Sequence, residues 1–160
     1  MSWEQVVPTD DREAWLAARR RGIGASDIAG IMGLSPYTTP FQVWASKVYE
    51  VPEEMDDEAM RWGAVLEAVI LDEWEKSNWP VEDRGLLIRS VEHPHFMATP
   101  DGLIDNGTSG AVVEAKNSSD WRWSEPPFHY RLQVQWQLVV TGYPLGYLVA
   151  LHGGRRMVTT

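Results

Sequence analysis

The fold turns on the stretch Met97-Ala-Thr-Pro-Asp101-Gly-Leu-Ile-Asp105, Asn106-Gly-Thr-Ser-Gly110, Ala111-Val-Val-Glu114-Ala-Lys116. Asn-Gly between two apolar runs is the strongest short-range hairpin signal a sequence carries. Asp101 is therefore expected at the start of one strand, with Glu114 and Lys116 on its antiparallel partner. Strand side chains alternate between faces, so Glu114 and Lys116 point one way while Val113 and Ala115 point the other. A carboxylate beside an amine, with a second carboxylate from the neighbouring strand, is the making of a divalent-metal site flanked by a lysine.

Each piece has an ordinary reading. Pro100-Asp101-Gly102 is a good turn without chemistry, and a Glu-x-Lys pair on a strand is commonly a solvated face. Order and spacing say more, with Glu114 thirteen positions after Asp101. Pro-Asp followed at that distance by Glu-x-Lys resembles the core of the PD-(D/E)XK nucleases, a superfamily of metal-dependent phosphodiesterases.

Composition bounds the rest. The 160 residues are expected to form one domain spanning residues 1–160. No apolar run approaches the roughly 20 residues needed to cross a bilayer, and the polar, acidic opening is no signal peptide. The absence of cysteine excludes disulfides, zinc-thiolate sites and thiol catalysis, and suits a reducing compartment. A net charge of −9 argues against broad nucleic-acid affinity, while leaving room for a local basic groove.

Along the chain, Asp10 and Glu13 make a capping-box-like start to a helix over 11–21. Arg19, Arg20 and Arg21 end that helix and Gly22 stops it. Ser26 is placed to cap a short helix running to Gly33, and a serine-capped turn beside arginines can hold an anion. A cap with solvated arginines is the plainer reading. Thr39-Pro40 opens a third helix through Phe41, Trp44 and Val48.

The longest helix is expected over 56–79. On it Met60, Gly63, Ala64, Ile70, Leu71 and Trp74 share one arc, with Glu67 at its centre. A carboxylate on an apolar face is costly unless it is paired, which marks Glu67 as functional or as the partner of an arginine. A strand follows over 86–91. The loop 117–127 carries Trp121 and Trp123, suited to stacking or strand-wedging and also to plain packing. A helix over 127–141 ends at Gly142, with Leu132, Trp136, Val139 and Val140 as its packed face. Gln133 and Gln137 share another face and read as polar surface. A second hairpin runs from Leu145–Leu151 to Arg155–Val158 around His152-Gly-Gly154.

In that order, Ser26, Glu67, Asp101, Glu114-Ala-Lys116 and Gln133-Val-Gln-Trp-Gln137 resemble the YqaJ-type viral recombinase family, the lambda exonuclease group. The matching segments run from about Arg19 to Thr141, most of the chain. The resemblance implies an α+β, restriction-endonuclease-like α/β/α fold in which helices flank a central mixed β-sheet. It further implies that Asp101 and Glu114 bind Mg²⁺ (Mn²⁺ as substitute), with the Ala115 carbonyl nearby and Glu67 reaching the metal sphere. Lys116 would position and activate the attacking water with Gln133 beside it. Arg19 and Ser26 would hold the 5′-phosphate of a DNA end.

The implied activity is Mg²⁺-dependent 5′ to 3′ exonuclease action on linear double-stranded DNA in phage-type recombination. The implied partners are duplex ends, a single-strand annealing protein and further copies of the chain in a ring. The implied setting is the cytoplasm of a bacterial or phage-infected cell, with no membrane. Two alternatives stay open: an endonuclease of the same superfamily, and a non-cleaving module that binds DNA ends or docks a partner.

Overall fold

The computed structural model describes residues 3–7, 11–49, 58–105, 109–119, 123 and 125–160. Two sheets are present among them. The larger is four-stranded, in the order β4 (Gly102–Asp105), β5 (Gly110–Ser118), β6 (Leu145–His152) and β7 (Arg156–Thr159). β4 and β5 are antiparallel in the register Gly102↔Val113 to Asp105↔Gly110, so the expected hairpin forms. Its turn at Asn106-Gly107-Thr108 lies outside the described residues. β5 and β6 run parallel, and β6 and β7 form the second expected hairpin. Gly153 and Gly154 turn that hairpin at φ of 55° and 67°, a region open to glycine without steric cost.

The smaller sheet was not expected. It joins β1 (Trp3–Gln5), β2 (Ile88–Ser90) and β3 (Met97–Ala98), all antiparallel. Strands of two or three residues are too short to show an alternating pattern.

Two helices cover the faces of the larger sheet. α4 (Glu58–Glu75) packs Ile70, Leu71 and Trp74 against Ala111, Val113, Ala115 and Val149. α5 (Phe128–Thr141) packs Val134 and Leu138 against Leu103, Val112 and Leu148 on the opposite face. A parallel pair needs a crossover connection, and α5 supplies it between β5 and β6. Because both faces of β5 are covered, it is buried without interruption from Gly110 to Ala115. α5 also presses Val140 and Trp136 on Ile88 and Ala98 of the smaller sheet. The Trp136 indole N–H donates to the Met97 carbonyl at 3.0 Å, tying the sheets together through one helix. Gly142, at φ 73°, ends α5 as expected.

Several boundaries differ from the expected ones. α1 (Arg12–Arg19) is capped by Asp11, whose carboxylate accepts from Ala14 N at 2.8 Å, and it stops at Arg19. α3 (Pro40–Val48) opens at Thr39-Pro40 as expected, and Thr39 and Gln42 also form a reciprocal capping box. α4 stops at Glu75, where Glu75 Oε1 accepts from Val81 N at 2.6 Å and fixes the returning chain. Its first half is only partly covered, so Ala64 of the expected packed arc is exposed. On α5, Val139 is exposed and Gln137 takes the buried place. No helix among the described residues is long and apolar enough to cross a membrane.

Candidate active site

Glu114 lies near the end of the buried run of β5 and is fully buried. Its Oε1 accepts from Lys116 Nζ and from Gln133 Nε2. Its Oε2 accepts from Gln137 Nε2 at 2.6 Å. The two glutamines are i, i+4 neighbours on α5, so one helix face delivers both donors to one carboxylate. Gln137 is the member of this group that the surface reading of the glutamines missed. Its signal was present: it falls three residues after Val134 and three before Val140, among positions that the helix buries. A neutral donor at that depth meets the cost of burying a carboxylate, as a second carboxylate could not.

Asp101 stands just before β4 and its Oδ2 accepts from Ala115 N at 2.7 Å. The side chain takes the acceptor place that the next β4 carbonyl would otherwise fill, extending the ladder by one bond. The same bond turns Asp101 toward the end of β5, beside Glu114. Sequence placed Asp101 and Glu114 on neighbouring strands, and the structure brings them together.

A cavity of about 240 Å³ opens here, lined by Arg19, Ser26, Asp101, Glu114, Lys116 and Gln133. The Arg19 guanidinium donates through Nη2 to Ser26 Oγ at 2.7 Å. Ser26 therefore does not cap a helix. It lies within a 3₁₀ turn (Ala25–Asp27) preceded by Gly24, and Asp27 supplies the turn's side-chain acceptor, taking Gly24 N at 2.8 Å.

Glu67 sits differently. It lines a second, larger cleft of about 590 Å³ with Trp62, Gly63, Ala64, Ala115 and Asn117. Lys116 borders both spaces, so the two clefts meet at its side chain. Glu67 is half-buried rather than sealed in a core. The arginine close enough to influence it, Arg84, is engaged by Asp72 at 2.7 Å and Glu75 at 3.0 Å. The reading of Glu67 as a structural partner of an arginine finds no support in that pairing.

The electrostatics follow from crowding three acids around one amine. Burial, and then the Glu114 carboxylate, push the Asp101 carboxyl well above its ordinary range. Burial and Glu114 also raise Glu67. Burial pulls the Lys116 ammonium down, but Glu114 and Asp101 outweigh it and the net shift is upward. Lys116 Nζ also lies 5.4 Å from the centre of the Tyr130 ring, within range of a cation–π contact. Burial and a hydrogen bond with Tyr37 raise the Tyr130 phenol to about 12.

The donor set suits a hard dication. Asp101, Glu114 and the Ala115 carbonyl offer hard oxygen atoms, and burial together with the neighbouring carboxylate disfavours the charged form of Asp101 and Glu67, a penalty that a cation would relieve. Mg²⁺ usually keeps several waters, so it does not require an all-protein cage. Among the described residues no three acidic or histidine side chains converge closely enough to form such a cage. The separate position of Glu67 in the larger cleft accounts for this.

Trp123 of the 117–127 loop is packed, with its ring edge-on to His152 at 4.8 Å and tilted on Tyr130 at 5.6 Å. Trp121 lies outside the described residues.

Comparison with known proteins places this geometry in context. The family model of the YqaJ-like viral recombinase domain matches residues 14–144. YqaJ of Bacillus subtilis (strain 168) is 35% identical over 156 residues, covering 92% of this chain and 48% of YqaJ. Protein D345L of African swine fever virus (strain Badajoz 1971 Vero-adapted) is 34% identical over 65 residues, 41% of this chain and 19% of D345L. The chain thus spans about half the length of YqaJ, and the match covers a smaller share of D345L. Among crystal structures, an alkaline exonuclease (LHK-Exo) from Laribacter hongkongensis superposes with a TM-score of 0.74 at 21% identity. That match covers 92% of this chain and 80% of the other. The likeness shows the fold, the expected α+β PD-(D/E)XK arrangement.

Proposed function

The chain belongs to the YqaJ-like viral recombinase domain family, and from that premise we propose that it is a Mg²⁺-dependent exonuclease degrading linear double-stranded DNA from the 5′ end. The observation that carries the reading is the shared cavity: Asp101, Glu114, Lys116 and Gln133 line the same small space as Arg19 and Ser26. Acids and amine suit phosphodiester hydrolysis, and the guanidinium–hydroxyl pair suits a terminal phosphate, which carries more charge than an internal one. LHK-Exo, described as an alkaline exonuclease and crystallised with dAMP, supports the same reading.

Asp101, Glu114 and the Ala115 carbonyl would hold the Mg²⁺, with Glu67 reaching it from the larger cleft through water. The cation, when bound, supplies Lewis-acid polarisation of the phosphate and lowers the pKa of bound water. Lys116, kept as an ammonium by its carboxylate neighbours, donates to the attacking water and offsets developing negative charge. Gln133 holds Glu114 Oε1 from the other side, fixing the carboxylate's direction. Arg19 and Ser26 grip the 5′-phosphate and so select which phosphodiester lies over the acids. Polarity resides in that grip and not in the acids. An overhang left by such digestion would serve an annealing protein, and a ring of copies would keep the enzyme on its strand.

The test uses linear and covalently closed duplexes, with and without Mg²⁺, and with 5′-phosphorylated or dephosphorylated ends. Mg²⁺-dependent loss of linear DNA, slowed by removing the phosphate, is the expected result. Efficient nicking of closed circles would instead assign the chain to the endonucleases. Binding without cleavage in Mg²⁺ or Mn²⁺ would make it an end-binding module.

A further inference from the structure

We propose that Asp27 and Lys47 form a positioning pair that sets Arg19 and Ser26 for the terminal phosphate, and so govern end recognition without touching the DNA. The proposal rests on the assignment of Arg19 and Ser26 above. It starts from a closed ring of polar contacts joining three parts of the chain. At the end of α1, the Arg19 carbonyl accepts from Lys47 Nζ of α3 at 3.3 Å. The same ammonium pairs with Asp27 Oδ2 at 2.6 Å. Asp27 Oδ2 also accepts from Gly24 N at 2.8 Å, closing the turn that carries Ser26. Ser26 Oγ then returns to Arg19 through its guanidinium. Backbone and side chain of Arg19 are thus held at opposite points of one ring.

Two further observations separate this pair from ordinary surface charges. Both side chains are largely covered, at 19% exposure for Lys47 and 13% for Asp27. A paired charge at that depth resists screening more than an exposed pair does. A cavity of about 230 Å³ also lies against the ring, lined by Leu16, Arg19, Arg20, Asp27, Lys47 and Tyr49 among others. With open space on that side, the Lys47 ammonium is the group that meets the Arg19 carbonyl beyond the helix's own hydrogen bonds. The turn leaves little slack of its own: a methyl group on Gly24 would lie 3.3 Å from Asp27 Oδ2. Loss of the pair would let Arg19 and Ser26 drift relative to Asp101 and Glu114 while leaving those acids in place.

The experiment measures kcat and KM on linear duplex with 5′-phosphate and 5′-hydroxyl ends, for wild type, Arg19→Ala, Lys47→Met and Asp27→Asn. Melting temperatures confirm folding, and Lys47→Gln replaces Lys47→Met if the latter does not fold. A misplacement of about 1 Å can cost on the order of 100-fold in rate, so a loss of about tenfold or more in kcat/KM on phosphorylated ends is expected for both pair variants. Their preference for phosphorylated ends should fall toward that of Arg19→Ala, with the loss carried mainly by KM. Retained preference in the pair variants, alongside its loss in Arg19→Ala, would overturn the positioning role and leave the phosphate grip standing. Absence of any preference in wild type would overturn the grip itself. An equal loss on both kinds of end would show a general structural role and sink the proposal.

Discussion

Gln137 Nε2 donates to Glu114 Oε2 at 2.6 Å, and both side chains are fully buried. The contact divides the carboxylate: one oxygen is committed to the core, and the other faces Lys116, Gln133 and the cavity. Gln137→Met removes the inner donor at similar volume and leaves Glu114 Oε2 unsatisfied. Unfolding free energy should fall by about 1–3 kcal/mol. Chemical denaturation checks the loss, and a variant as stable as wild type would show that Glu114 does not depend on this bond.

Asp101→Asn and Glu114→Gln should each abolish Mg²⁺-dependent cleavage in folded protein. Amides are the better replacements here than alanine, because Glu114→Ala would remove the acceptor of three donors at once, the buried Gln137 among them. Lys116→Ala should lose about 10²- to 10³-fold in rate, the usual scale for removing a donor that stabilises developing negative charge. It should still bind Mg²⁺ by calorimetry, whereas failure to bind would make Lys116 a structural part of the metal site.

Glu67→Gln should slow cleavage without lowering the melting temperature of metal-free protein. The amide removes one of three mutually repelling charges, and Arg84 is already paired elsewhere. A lower melting temperature with normal activity would return Glu67 to a structural role.

Metal-free protein should lose stability as pH rises. Asp101 and Glu67 have folded pKa values above their ordinary 3.8 and 4.5, so the folded state binds more protons than the unfolded state. Their contribution is therefore complete below those ordinary values and is lost as pH climbs through the raised ones. Calorimetric scans in chelator at about pH 5 and about pH 8 should show the decline. Added Mg²⁺ should recover stability at the higher pH, and Asp101→Asn should flatten the slope. An unchanged melting temperature across that range would contradict the strain assigned to the acids.

What sequence disclosed and what it hid divide along the range of the forces involved. Asp101, Glu114 and Lys116 could be placed because a hairpin and a two-residue period are local facts. Asp11 caps α1, one position after Asp10, the residue read as its start, which lies outside the described residues. Gln137 carried a local signal in its spacing from Val134 and Val140, but its full depth depends on α5 serving two sheets, one of them built from strands too short to foresee. Ser26 was given a helix cap by its neighbours in sequence, but Arg19, seven positions earlier, competes for its hydroxyl. Glu67 was expected in a packed arc, yet α4 meets the sheet only over its second half. Over the first half the face that should have been covered opens into the larger cleft.

α5 carries its buried residues on two sides, Val134 toward the larger sheet and Val140 toward the smaller, with the two glutamines between them. Interiors are close-packed, so a change of one methylene on either side is transmitted as a small rotation or shift of the helix. Such a shift moves the amide donors against Glu114 before it unfolds anything. Selection on this family should accordingly be unable to treat core volume and site geometry as separate traits. Volume-changing substitutions at Val140, Ile88 or Ala98 should therefore be felt at Glu114 as well as in the core.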